Sequence, residues 1–206
     1  PAFTSDSSFS IAEGTDSVAT LTGSDADLTT PTFSTTLAGD DAGDFTLTSG
    51  GVLAFAATPN FESPADANTN NVYSITATIT DGTNTATQAI TITVTNVNES
   101  TPAFTSDSSF SIAEGTDSVA TLTGSDADLT TPTFSTTLAG DDAGDFTLTS
   151  GGVLAFAATP NFESPADADT NNVYSITATI TDGTNTATQA ITITVTDEND
   201  NNPVLS

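Results

Sequence analysis

The chain has 206 residues, among them 27 Asp and Glu and no Lys, Arg or His, so its formal charge is −27. Nothing in it can neutralise nucleic-acid phosphates or hold it to an anionic membrane surface, which excludes both partner classes. Cys is absent, so there are no disulfides, and no apolar run is long enough to span a bilayer as a helix.

Residues 1–95 return as 102–196 at an offset of 101, and only one position changes, Asn68 standing against Asp169. A unit of about a hundred residues can bury its own core. Two domains are therefore expected, 1–99 and 100–206, each carrying a linker at its end. Pro203-Val204-Leu205 reads as the start of a further copy, so the chain is expected to be a piece of a longer tandem array.

In chain order, the first copy predicts strands over Phe9–Ala12, Ser17–Thr22, Thr32–Leu37, Phe45–Thr48 and Val52–Phe55, with Ser49-Gly50-Gly51 turning the last pair. Two longer strands follow. Tyr73, Ile75, Ala77 and Ile79 alternate with Ser74, Thr76 and Thr78; Ile90, Ile92 and Val94 alternate with Thr91 and Thr93. This period of two puts apolar residues inward and threonines outward. Asp81-Gly82 suits a tight turn between them. The predicted core is Phe9, Ile11, Val18, Leu21, Phe33, Leu37, Phe45, Leu47, Leu53, Phe55, Tyr73, Ile75, Ile79, Ile90, Ile92 and Val94. Seven short strands without a helical period predict an all-β fold: two tandem seven-stranded, Greek-key, immunoglobulin-like β-sandwiches arranged end to end.

The acids gather at turns and ends. Glu13 follows the first strand, Asp25 and Asp27 follow the second, and Asn60-Phe61-Glu62 follows the fifth. Asp81 occupies the last hairpin, and the linker reads Asn96-Val97-Asn98-Glu99-Ser100. The second copy repeats this with Glu114, Asp126, Asp128, Asn161, Glu163 and Asp182, then Asp197-Glu198-Asn199-Asp200-Asn201-Asn202-Pro203. Two carboxylates about 4 Å apart repel by ~4 kcal/mol at an effective dielectric near 20. With no basic side chain available, clustered acids need an external cation or must splay apart.

This order (Glu, Asp-Ala-Asp, Asn-x-Glu, Thr-Asp-Gly, Asp-Glu-Asn-Asp-Asn-x-Pro) resembles the cadherin repeat over essentially all of both copies. The near-identical copies and Thr/Asp-rich composition look more like the cadherin-like repeats of large bacterial surface adhesins than like animal cadherins. The resemblance implies calcium held between successive domains. At the first junction it implies Glu13, Glu62, Glu99, Asp126, Asp128 and Asp182 as carboxylate ligands. Asn98 would bind by its side chain, Val97 and Ser100 by their carbonyls. The family commonly has Asp where Asn60 and Asn96 stand, so the ion nearest Asn60 is expected to be held most weakly and the one on Asp126, Asp128 and Asp182 most tightly. Asp25, Asp27 and Asp81 form half a site, as do Glu114, Glu163 and the strip Asp197, Glu198, Asn199 and Asp200. Six to eight hard oxygen donors are what Ca²⁺ takes.

Asp66-x-Asn68-x-Asn70 faintly echoes a calcium loop, but Asn71 and Ala77 stand where an EF-hand needs Gly and Glu. A loop whose side chains bond its own backbone is expected instead. Asn98-Glu99-Ser100 fits a glycosylation triplet yet coincides with the linker. Without His, Cys, Lys or Arg there is no common nucleophile–base pair, so no enzymatic activity is expected. The expected function is a calcium-rigidified extracellular extender or adhesion segment. Direct adhesion to like repeats or to a surface polysaccharide is the alternative; exposed aromatics would favour sugar, but there is no Trp and the only tyrosines, Tyr73 and Tyr174, sit at inward positions.

Overall fold

The computed structural model describes residues 1–27, 30–128 and 130–201. Asn202 and Pro203-Val204-Leu205, read above as linker and a further copy, lie outside the described residues. The chain divides into two units, Pro1–Val97 and Asn98–Ser206.

The first unit holds β1 (Ala2–Phe3), β2 (Ser8–Ala12), β3 (Ser17–Thr20), β4 (Gly23–Ser24), β5 (Thr32–Phe33), β6 (Phe45–Leu47), β7 (Val52–Phe55), β8 (Val72–Thr80) and β9 (Thr85–Thr95). The second repeats them as β10 (Ala103–Phe104), β11 (Ser109–Ala113), β12 (Ser118–Thr121), β13 (Gly124–Ser125), β14 (Thr133–Phe134), β15 (Phe146–Leu148), β16 (Val153–Phe156), β17 (Val173–Thr181) and β18 (Thr186–Thr196). In each unit a four-stranded sheet, ordered β2-β9-β8-β5 in the first, faces a three-stranded one ordered β3-β7-β6. β2 runs parallel to β9, with Phe9 opposite Ile92, and the remaining pairs are antiparallel.

The period-two pattern sets this register. Tyr73 pairs with Ile92 and Ile75 with Ile90, so both strands turn their large residues to one face. Ile79, Ile92 and Leu53 are fully buried; burying such a side chain contributes roughly 1.5–3 kcal/mol. Phe45 and Phe55 pack tilted at a centroid distance of 4.5 Å, and Tyr73 meets both edge-to-face at 5.5 and 5.3 Å. Every residue predicted for the core lies in it or packs against it, joined by Phe3, Ala19, Phe61, Ala77 and Ala86.

The seven expected strands make up the two facing sheets, four and three, and the structure adds to or alters that expectation in three places. Among the described residues of the first unit two further short strands occur, because Ala2–Phe3 pairs with Gly23–Ser24, a contact too short to show periodicity. The strand expected over Thr32–Leu37 stops at Phe33: the Ser34 hydroxyl accepts the Thr36 amide at 3.2 Å and bends the chain. The residues between β8 and β9 form a four-residue loop, Thr80 pairing with Thr85, whose amides at Thr83 and Asn84 both donate to Asp81 Oδ1 at 2.7 Å. Among the described residues every Asp and Glu lies outside the strands, so the charge is confined to the loops and terminal strips.

Candidate metal centres

Each unit gathers carboxylates where its strip enters and again where its strip leaves. In the second unit β10 pairs with β13, which brings the entering strip beside the turn that follows β13. That turn is an Asx turn: the Asp128 amide donates to Asp126 Oδ1 at 2.9 Å, and Thr130 Oγ1 donates to the same oxygen at 3.1 Å. The Ser100 amide donates to Asp128 Oδ2 at 2.7 Å. Asp182, in the β17–β18 loop, completes the group. The Asn98 amide, oriented so that its nitrogen faces the acids, reaches Asp182 Oδ2 at 3.1 Å and Asp128 Oδ2 at 3.3 Å.

Asn185 was not legible as part of this group. Its Nδ2 donates to the Ser100 carbonyl at 2.6 Å and to Asp182 Oδ2 at 3.3 Å. The carbonyl expected as a metal ligand at Ser100 is thus already engaged. Asn185 lies in the loop Asp182-Gly183-Thr184-Asn185, and no motif marks it, because its partner Ser100 is 85 residues away in the chain. Burial opposes ionisation of Asp182, but hydrogen bonds from the Asn185 and Thr184 amides and the Asn185 and Asn98 side chains outweigh it, leaving its pKa lowered. Asp126 Oδ2 is buried and has no hydrogen-bond partner among the described residues.

The first unit builds the same group from Asp25, Asp27 and Asp81. The Asp27 amide donates to Asp25 Oδ1 at 2.8 Å. These groups line a hollow of about 490 Å³ together with Asn84. The Asn84 and Thr83 amides hold Asp81 down to about 2.

At the leaving side of the second unit, Glu114 is buried just after β11. Its Oε2 accepts the Phe162 amide at 2.7 Å and its Oε1 the Glu198 amide at 2.9 Å. The Glu198 bond, then that from Phe162, lowers its pKa. Glu114, Glu163 and Asp200 each offer an oxygen within 4.8 Å of the others. Asn201 Nδ2 donates to Glu163 Oε1 at 2.9 Å. In the first unit Glu13 accepts the Phe61 and Val97 amides at 2.7 and 2.8 Å, and Glu13 and Glu62 have oxygens within 4.8 Å of each other. Asn60 and Asn161 accept the Ser63 and Ser164 amides at 2.6 and 2.7 Å. Asn96, Glu99, Asp197 and Asn199 are exposed on the strips.

These donor sets consist of carboxylate oxygens, to which the Asn98 amide would add its oxygen by turning over, without an imidazole or sulfur ligand, which fits a hard cation such as Ca²⁺ and not zinc or copper. A separate acid pair is structural. Asp66, 2% exposed, accepts the Asn70 and Asn71 amides at 2.9 and 3.2 Å, the backbone-bonded loop that the sequence predicts there. Asp41, unremarked in the sequence, accepts the Ala67 and Ser74 amides at 2.8 and 2.7 Å. Lone acids of this kind carry no periodic or motif signal.

No protein-family model matches the chain, and neither does any curated protein sequence. Solved structures do. Human protocadherin-24 EC1-2 superposes with a TM-score of 0.72 at 16% identity over 96% of this chain and 98% of that one. Drosophila N-cadherin EC1-4 gives 0.74 at 18% identity over 95% and 49%. Protocadherin gamma B2 extracellular cadherin domains 3-6 give 0.68 at 20% identity over 99% and 49%. The fold is that of tandem cadherin extracellular repeats.

Proposed function

We propose that the acidic groups bind calcium and that the chain is a calcium-stiffened repeat pair from a long extracellular adhesin, acting as an extender or adhesion segment and not as an enzyme. One observation carries this: Glu114, Glu163 and Asp200 bring carboxylate oxygens within 4.8 Å of one another, in a chain without a basic side chain, and at the entering side Asp126 Oδ2 is buried and unpartnered among the described residues.

Asp126, Asp128, Asp182 and the Asn98 side chain would hold the ion at the entering side. Glu114, Glu163 and Asp200 would hold one at the leaving side, with Asp25, Asp27 and Asp81, and Glu13 with Glu62, as first-unit counterparts. Asn60, Asn96, Val97, Glu99, Ser100, Asp197, Glu198 and Asn199 remain candidates on the same strips and turns. Bound calcium supplies the positive charge that the sequence omits. In a tandem array the strip leaving one repeat enters the next, so ions held on it restrict how far successive repeats swing. The extracellular cadherin domains among the solved neighbours support an extracellular, adhesive setting, and the near-identity of the copies supports a large bacterial surface adhesin. Extracellular modules bind Ca²⁺ at about 10⁻⁴–10⁻³ M. Stacking of a polysaccharide finds no support in the tyrosines, since Tyr73 and Tyr174 are 1% exposed.

Solution scattering with calcium and with chelator tests the stiffening. A narrower ensemble in calcium is expected; superimposable profiles from a chain that calorimetry shows to bind calcium would defeat it. Calorimetry without binding would defeat the calcium reading itself.

A further inference from the structure

The turn that presents Glu163 is held by a residue outside the acidic groups. The backbone of Phe162 is held at both its polar groups: the N–H donates to Glu114 Oε2 at 2.7 Å, and the carbonyl accepts Asn172 Nδ2 at 2.9 Å. The backbone of Asn172 is anchored as well. Its N–H donates to the buried Asp167 Oδ1 at 3.3 Å, and its carbonyl accepts the Val195 amide at 2.9 Å. Val195 belongs to β18, whose continuation carries Asp200. One side chain and its backbone thereby tie the Glu163 turn to the strand leading to Asp200. The first unit repeats the arrangement, Asn71 Nδ2 to the Phe61 carbonyl at 2.9 Å and the Val94 amide to the Asn71 carbonyl at 2.9 Å.

We infer that Asn71 and Asn172 are positioning residues that preset Glu62 and Glu163 against Glu13 and Glu114 for calcium. This rests on the calcium reading above. The residue type follows from two demands. The backbone is left-handed, with φ of +62° at Asn71 and +66° at Asn172, a conformation that Asn tolerates better than most residues. The side chain must also donate to a carbonyl. Gly meets the first demand and not the second, whereas Asp has the right shape but sets an oxygen against an oxygen.

The test uses the full chain with both positions changed together. Asn→Gly at 71 and 172 is expected to lower calcium affinity by about tenfold, the worth of one net hydrogen bond per site, and to speed exchange of the Phe162 amide in metal-free protein. Asn→Asp at the same positions separates positioning from charge. An added carboxylate near the site raises calcium affinity if electrostatics alone matter, whereas loss of the donor lowers it. Asp variants that bind calcium as tightly as the parent, or Gly variants whose Phe162 amide exchanges at the parental rate, overturn the inference. A parent chain that binds no calcium sinks the functional reading, and the metal-free exchange rate still decides whether Asn172 holds the turn.

Discussion

Ser100 donates its amide to Asp128 Oδ2 at 2.7 Å, and Asp128 is 1% exposed. The strip entering the second unit is thus fastened to the same carboxylate pair that would face the ion, so the acid has a structural and a proposed ligand role to be separated. Asp128→Asn keeps a side-chain oxygen for the Ser100 amide and removes the charge, whereas Asp128→Ala removes both. Titration calorimetry should show at least a tenfold loss of calcium affinity for each, on the scale of one charge-assisted interaction. Thermal unfolding in chelator should separate them, Ala falling below Asn. Parental affinity in both variants would remove Asp128 from the ligand set.

Calcium should stabilise the fold by linkage. At a dissociation constant of roughly 10⁻⁴–10⁻³ M, 10 mM ion stands at about 10–100 times that constant and contributes roughly 1.4–2.7 kcal/mol per site. For a domain of this size that is a rise in Tm of about 6–20 °C. Magnesium prefers a rigid octahedron and gives up its waters reluctantly, so the same concentration should raise Tm far less. Differential scanning calorimetry with each ion decides it; equal shifts would show nonspecific screening of the acids.

Much of this architecture was legible because strands write themselves as alternation. Tyr73, Ile75, Ile79, Ile90, Ile92 and Val94 announce their face two residues at a time, and the register follows. Ala2–Phe3 and Gly23–Ser24 were silent, since two residues cannot display a period. The acids at turns were legible through order and spacing. Asn185, Asn172 and Asp41 were not, because each bonds to backbone groups brought near by the fold, and no local pattern encodes a long-range hydrogen bond.

Gly51 marks a close approach that the turn sequence alone did not reveal. Its φ is +89°, and a Cβ there would meet the Leu21 carbonyl oxygen and come within 2.8 Å of the Phe33 ring. The Gly51 carbonyl accepts the Leu21 amide at 2.8 Å, so the backbone cannot move away cheaply. Gly51→Ala should destabilise the first unit by about 1–3 kcal/mol from backbone strain alone, with the collision adding to it. Gly82→Ala is the control, for its φ of +97° is similar and open space surrounds it. Chemical denaturation should rank Gly51→Ala well below Gly82→Ala; equal losses would mean that the backbone angle, and not the contact, sets the cost.

The metal-free chain should be most stable in mild acid. Burial, then the neighbouring Asp41 and Asp66, raises the pKa of Asp44; burial, then Asp142 and Asp167, does the same for Asp145. A hydrogen bond shared with Asp167, then burial, raises Asp169. As pH falls from neutral through these raised values, the folded state takes protons before the unfolded state does, and stability climbs. Below about the ordinary Asp value of 3.8 the balance reverses. Asp81 stays ionised down to about 2, held by the Asn84 and Thr83 amides, and Asp182 and Glu114 are lowered too. There the unfolded chain takes protons that these groups refuse, and stability falls between about pH 4 and pH 2. Thermal unfolding across pH 2–7 should therefore trace a dome with its maximum near pH 4. Asp81→Asn with Asp182→Asn should flatten its acid limb. In calcium the maximum should move toward neutral pH, because the ion binds carboxylates only in their ionised form. A metal-free stability that keeps rising to pH 2 would show that relief of repulsion among 27 acids outweighs the hydrogen-bonded carboxylates of the loops.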